Sequence, residues 1–331
     1  MNKDMISRVI LKYGINAKKC TLIKQESDRC VWKIEDKKRK YALKSLTARK
    51  AKITSNISSY LLERGIPVIT LLPALNGDFI IQNGDSFFIL FPWFEGEAIH
   101  YEIPGTIERM SVLLARFHEA SKGYERKGRP IEQTKLNLLK DYLGQLEYMN
   151  KLYKELNSKD DPIVRVFLYH YSWLLKRCNW VIKHLPYTTY HNLVELVRLD
   201  PILGHGDYSR ANILSDKKDN WKIIDLDTVK ISHPLRDLSR MITWINHDLG
   251  NWDLDRYKSI LQCYRDIRSF SDEEEEILIL DQCFPHQAIN LMRQYYEKKG
   301  SETLLEELKR CLDTDKEKIR KLLIKELLIE E

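Results

Sequence analysis

The 331 residues read as an α+β protein of two lobes, a small antiparallel sheet lobe followed by a larger, mainly helical one. Short β-type apolar runs separated by turn residues fill about the first 95 positions, whereas apolar residues spaced three and four apart govern the remainder of the chain. An apolar share of 43% in a 39.3 kDa chain is enough to build a substantial core, which argues against wholesale disorder. The 54 Lys+Arg against 48 Asp+Glu leave a net charge of only +6, so nucleic acid is not an expected partner.

The opening residues MNKDMISRVILKYGINAKKC carry charge in every turn and lack the apolar core of a signal peptide, so synthesis in the cytoplasm is expected. No run approaches the ~18 apolar residues needed to span a bilayer. Residues 21–24 and 30–35 read as strands, the cluster 36–40 as a hairpin turn, and 41–46 as the returning strand. A helix over 49–64 stops at Gly65, with Pro67 reinforcing the stop. Strands over 78–82 and 86–91 flank Asn83-Gly84-Asp85, a hairpin signal, and 92–96 break away from the sheet.

From Thr106, the positions Ile107, Met110, Leu113, Leu114 and Phe117 keep helical spacing up to the stop at Ser121-Lys122-Gly123. Residues from about 133 to 199 read as helices whose Leu, Tyr and Trp side chains serve packing. Ser271 followed by five acids is a helix N-cap with carboxylates in the first turn. The tail places Leu304, Leu305, Leu308 and Leu312 on one face of a surface helix pair. The six cysteines are scattered, without a CxxC pair, and read as reduced thiols. Residues 33–52 hold nine Lys or Arg against two acids, which reads as a solvated turn and helix start rather than an anion site.

The chemistry lies in Gly204-His-Gly-Asp-Tyr-Ser-Arg-Ala-Asn-Ile-Leu214 and Trp221-Lys-Ile-Ile-Asp-Leu-Asp-Thr228. Phosphoryl transfer from ATP needs a carboxylate to orient the acceptor hydroxyl and oxygen ligands to hold Mg²⁺ against the phosphates. Asp207, Asn212 five residues on, and Asp225 at the end of a short apolar strand supply those groups. A hairpin of 213–214, a turn at 215–220 and a strand at 221–224 would return Asp225 to Asn212. Singly, each of the three is an ordinary turn or cap residue; the spacing is what points to a phosphotransferase site. Asp227 would share a side of the strand with Asp225 if the strand continues. His205 reads as a brace of the loop.

These motifs resemble the aminoglycoside phosphotransferase and choline kinase branch of the protein-kinase-like fold, with His-Gly-Asp at 205–207. A narrower likeness lies in Phe284-Pro-His-Gln-Ala-Ile-Asn-Leu-Met-Arg-Gln-Tyr-Tyr296, Arg29-Cys-Val-Trp-Lys-Ile34 and Tyr41-Ala-Leu-Lys44, which look like the CotS family of bacterial spore-coat proteins. The resemblance implies a bilobed fold, with a nucleotide-binding lobe at 1–94 and a helical lobe at 95–331 that carries the catalytic loop at 204–228. It implies ATP and Mg²⁺ as cofactors, Asp207 as the catalytic carboxylate, and Asn212 and Asp225 as metal ligands. Lys44 would meet the nucleotide phosphates, and Phe91 to Phe94 would form the hinge at the adenine, with Phe91 and Trp93 as cofactor contacts. The acceptor, a hydroxyl compound, would lie over Asp207 against the helical region of about 133–199. Expected partners are nucleotide, that acceptor and other spore-coat proteins, in the coat of an endospore-forming bacterium.

Two departures from the family pattern stand out. The loop 25–30 has no glycine to let backbone amides approach phosphates, so either Arg29 compensates or nucleotide binds weakly. The helix at 49–64 offers only Glu63, near its end, as a partner for Lys44. A kinase fold without the reaction, or a small-molecule kinase, are the competing readings.

Overall fold

A computed structural model describes residues 3–25, 29–124, 137–298 and 302–328. In chain order its elements are α1 (Lys3–Lys12), β1 (Lys19–Gln25), β2 (Cys30–Glu35), β3 (Lys40–Leu46), α2 (Ala48–Glu63), β4 (Ile80–Asn83), β5 (Ser86–Pro92), β6 (Gly96–Ala98) and α3 (Thr106–Ser121). Next come α4 (Leu138–Leu156), α5 (Pro162–His184), α6 (Tyr190–Leu199), β7 (Leu203–Gly204), β8 (Ile213–Asp216), β9 (Trp221–Ile223) and β10 (Lys230–Ile231). The chain then continues through α7 (Leu235–Leu249), α8 (Leu254–Arg265), α9 (Asp272–Cys283), α10 (His286–Lys298) and α11 (Glu302–Lys321). The molecule is thus α+β, with an antiparallel sheet toward the N-terminus and mainly helices after it, as the sequence led us to expect.

The chain forms two compact units that are not contiguous in sequence. The first gathers residues 1–100, 116–133 and 201–232, and the second residues 101–115, 134–200 and 233–331. The segment 204–228 therefore clusters with the sheet.

In the first unit, five antiparallel strands run in the order β1-β2-β3-β5-β4. Alternation along β2 buries Cys30, Trp32 and Ile34 on one face, where they meet Leu43, Phe88 and Leu90 of the neighbouring strands. Helix α1 seals that face with Ile6, Val9, Ile10 and Tyr13. This helix is missing from the β-type reading of the first lobe: its apolar positions are interleaved with Lys3, Asp4, Arg8 and Lys12, the composition of a short amphipathic cover. The opposite face buries Leu46 and Ile89 against Ala51 of α2.

Helix α2 begins with the Thr47 side chain accepting from the Lys50 amide. It ends as the Gly65 C-cap signal requires: Gly65 N–H donates to Leu62 O and Ile66 N–H to Leu61 O, with Gly65 at φ +75°. The turn between β2 and β3 is pinned by Asp36, whose carboxylate accepts from the Lys38 and Arg39 amides. The basic cluster around it is not uniform: Lys33 lies 4.5 Å over the Trp93 ring, Lys40 pairs with Glu95 at 2.6 Å, and Lys44 is buried.

In the second unit, Ser271 and Glu274 form a reciprocal capping box at the head of α9. Leu304, Leu308 and Leu312 are buried along α11. A polar cluster sits inside this unit. The Asp281 carboxylate accepts from Tyr142 at 2.5 Å and from the Ser239 hydroxyl, and His286 Nε2 lies 3.1 Å away. Phe284 stacks on Tyr142 at 4.5 Å, so the Phe-Pro-His segment holds this cluster together.

Candidate functional site

All the predicted chemistry-bearing residues of 204–228 and Lys44 fall within the first unit. The expected hairpin forms: β8 and β9 pair antiparallel, Ile213 opposite Ile223, and Ile224 N–H donates to Asn212 O at 2.9 Å. That bond is what returns Asp225 to the neighbourhood of Asn212. The strand does not continue beyond it. Asp225 adopts a left-handed conformation (φ 62°, ψ 50°), and residues 226–228 close a 3-10 turn on which α2 packs. Asp225 and Asp227 therefore meet around this bend, not along one side of a strand. A non-glycine residue held in that region costs about 1–3 kcal/mol, and such residues concentrate at functional sites.

Asp207 and Asn212 are joined directly. Asn212 Nδ2 donates to Asp207 Oδ2 at 2.9 Å and to its backbone oxygen at 2.8 Å, which fixes the carboxylate and leaves Asn212 Oδ1 as the oxygen for another partner. His205 is fully buried and braces the loop as expected. Its Nδ1 accepts from Asp207 N–H at 3.3 Å, so Nε2 carries the proton and donates to Ile224 O at 3.0 Å. The Thr228 hydroxyl donates to His205 O at 2.8 Å. Gly206 completes the bend at φ +79°, where a Cβ would stand 2.6 Å from Thr228 O.

Lys44 is 9% exposed, on the sheet face it shares with Leu46 and Ile89. A buried ammonium needs an anion. The anion is not Glu63: Lys44 Nζ pairs with Asp225 and lies 3.5 Å from Asp227 Oδ1. Arg29, just ahead of β2, approaches the same two carboxylates, at 3.0 Å from Asp225 Oδ2 and 3.6 Å from Asp227 Oδ2. Residues 26–28 of the glycine-free loop lie outside the described residues.

Burial alone would raise the Asp225 carboxyl, but the adjoining Asp227, the Lys44 ammonium and the Arg29 guanidinium together hold it well below the usual carboxylate range. Burial first, and then the adjoining Asp225, push Asp227 up to about 6. Both Asp227 oxygens are buried without a hydrogen-bond partner. Two adjoining carboxylates, one of them with both oxygens buried and met only by ion pairs at 3.5 and 3.6 Å, are oxygen donors suited to a hard cation such as Mg²⁺. Among the described residues, no three His, Cys, Asp or Glu side chains converge as a metal cluster, so a cation here would complete its shell with Asn212, phosphates or water.

At the expected hinge, Phe91 lies within β5 opposite Ala42, and Trp93 N–H donates to Lys40 O at 3.0 Å. The Trp93 amide is thus engaged in the sheet. Arg29 and Asp227 are the residues whose part in the site sequence reasoning undervalued. A basic residue closing a glycine-free loop, and a second acid two positions after the strand-end Asp, were the available signals.

The comparisons with known proteins agree with this architecture. The chain is 21% identical over 308 residues to Spore coat protein S of Bacillus subtilis (strain 168), covering 90% of this chain and 86% of that protein. Its structure is similar to the aminoglycoside phosphotransferase of Alicyclobacillus acidocaldarius, with a TM-score of 0.77 at 16% identity over 97% of this chain and 94% of that one. It is also similar to a spectinomycin phosphotransferase in complex with ADP and spectinomycin, with a TM-score of 0.67 at 14% identity over 99% of each chain. At these identities the structural likeness establishes the fold, a kinase-like one. The sequence profile of the Phosphotransferase enzyme family matches residues 19–270, and the chain belongs to that family.

Proposed function

We propose that this chain binds MgATP and transfers its γ-phosphoryl group to a hydroxyl of an acceptor, in association with the spore coat. The observation that carries this reading is the gathering of Lys44, Asp225, Asp227 and the Asp207–Asn212 pair in one compact unit, with both Asp227 oxygens buried and making no hydrogen bond. The relative named as a spore coat protein supports the setting, and the family and the ADP-bound neighbour support the nucleotide.

In this reading Asn212 Oδ1, Asp225 and Asp227 would hold Mg²⁺, which when bound neutralises phosphate charge. Lys44 would turn from the carboxylates toward the α/β-phosphates. Phe91 and Trp93 would flank the adenine through groups other than the Trp93 amide. Asp207, fixed by Asn212, would accept a hydrogen bond from the acceptor hydroxyl. The hydroxyl oxygen then bonds to the γ-phosphorus as the bond to the β,γ-bridging oxygen breaks, ADP departs, and the proton passes to Asp207.

Asp207→Asn is expected to lower phosphoryl transfer at least 100-fold, in line with the usual worth of a positioned acid or base, while MgATP affinity stays within about threefold. Radiolabel transfer from γ-³²P-ATP to coat extracts, run beside a binding titration, checks both. Full transfer by the variant would remove Asp207 from the reaction.

A second reading, a coat protein that keeps the fold without the reaction, has one specific observation in its favour. Arg29 and Lys44 already supply two positive charges to Asp225 and Asp227, so the carboxylate pair persists without a metal.

A further inference from the structure

Arg29 comes from the segment joining β1 to β2, and its position is anchored. The next residue donates Cys30 N–H to Ser45 Oγ at 3.0 Å, and Val31 pairs with Lys44 across β2 and β3. From there the guanidinium reaches a residue 196 positions away. Nη1 donates to Asp225 Oδ2 at 3.0 Å and lies 3.3 Å from Oδ1, with the side chain 16% exposed. The same nitrogen stands 3.6 Å from Asp227 Oδ2. Lys44 approaches the pair through the Oδ1 atom of each carboxylate. Among the described residues, two cationic side chains thus stand against the two carboxylates.

A Mg²⁺ ion binds carboxylate oxygen at about 2.1 Å and demands near-octahedral freedom around it. A guanidinium donating to Asp225 Oδ2 occupies one of that oxygen's lone-pair directions. Its fixed positive charge also repels an incoming divalent ion at short range in a poorly solvated site. A nucleotide changes this balance, because phosphate oxygens are the other acceptors that a planar, always-charged guanidinium binds well.

We propose that Arg29 is an internal countercation that competes with the divalent metal for Asp225 and Asp227. The nucleotide-free chain then holds free metal weakly, and metal enters together with the nucleotide, whose phosphates take over Arg29. The proposal rests on the reading of Asp225 and Asp227 as metal ligands. It also gives the missing loop glycines a counterpart: a side chain, not backbone amides, would meet the phosphates.

The test uses the full chain and Mn²⁺ as probe, followed by electron paramagnetic resonance and calorimetry, with and without ADP. Without nucleotide, Arg29→Gln is expected to bind Mn²⁺ at least tenfold more tightly than the unmodified chain, and Arg29→Lys to stay within about threefold of it. With ADP present, the advantage of Arg29→Gln is expected to disappear. The melting temperature of Arg29→Gln should fall without metal and recover on adding Mn²⁺, a rise the unmodified chain does not show. Equal or weaker Mn²⁺ binding by Arg29→Gln, or no recovery of its melting temperature by Mn²⁺, would overturn the proposal while leaving the metal site standing. Asp225→Asn separates the two levels. If it retains unmodified Mn²⁺ affinity, the metal is held elsewhere and both readings fall.

Discussion

At the scale of single residues, Lys44 shows how burial decides a role. The ammonium is held by Asp225 and Asp227, and removing one partner from a buried ion pair leaves uncompensated charge. Lys44→Met is expected to lower unfolding free energy by about 3 kcal/mol in urea titrations, and to abolish nucleotide binding. Gly206 makes a second test. Gly206→Ala must adopt φ +79° and also place a methyl 2.6 Å from Thr228 O, whereas Gly65→Ala at φ +75° meets nothing within 4 Å. We expect a cost of about 1 kcal/mol at Gly65 and on the order of 3 kcal/mol at Gly206, measured as denaturant midpoints. Equal costs would mean that the His205–Thr228 bend yields freely. The grouping of Asp207 with Asn212 and the return of Asp225 were legible in the sequence from their spacing and the hairpin between them, whereas Lys44 was singled out only by the family resemblance. Arg29 was legible only as a charge, because its partner is 196 residues distant and no local pattern encodes that contact.

At the scale of elements, alternation along β2 and β3, the stop at Gly65 and the hairpin at 213–224 were readable because each rests on a local rule of period, cap or turn. The turn at 226–228 was not, since Asp225 leaves the strand through a left-handed bend that composition does not announce. Strand β6 escaped too, as its three residues pair with β8 far along the chain. The α9–α10 junction yields a pH prediction. Burial would raise the Asp281 carboxyl, but His286, Ser239 and Tyr142 hold it well below its ordinary value, with Arg236 a further positive neighbour. A depressed folded-state pKa stabilises above the unfolded value of about 3.9 and loses that contribution as pH falls below it. Asp281→Asn should thus be less stable than the unmodified chain by about 2–3 kcal/mol at pH 7, with the gap narrowing steadily as pH falls from 4 through 2. Urea midpoints at pH 7, 4 and 2.5 check this, and a constant gap would contradict it.

At the scale of the whole molecule, the segment 204–228 and the sheet belong to one compact unit, and the helices of 134–200 and 233–331 to another. No helix among the described residues is long and apolar enough to cross a membrane. The order of lobes was visible in the change of period near residue 95, but the return of 201–232 to the sheet unit was not, because it depends on contacts between distant segments such as Ile223 N–H to Pro67 O at 2.8 Å. The proposed MgATP site depends on these contacts, in a chain similar to a spore coat protein. Calorimetric titration of the purified chain with ATP, with and without Mg²⁺ and beside Asp225→Asn, tests it most directly. Micromolar, Mg²⁺-dependent binding that the variant loses is expected; no binding up to millimolar ATP would mean that the site does not take nucleotide.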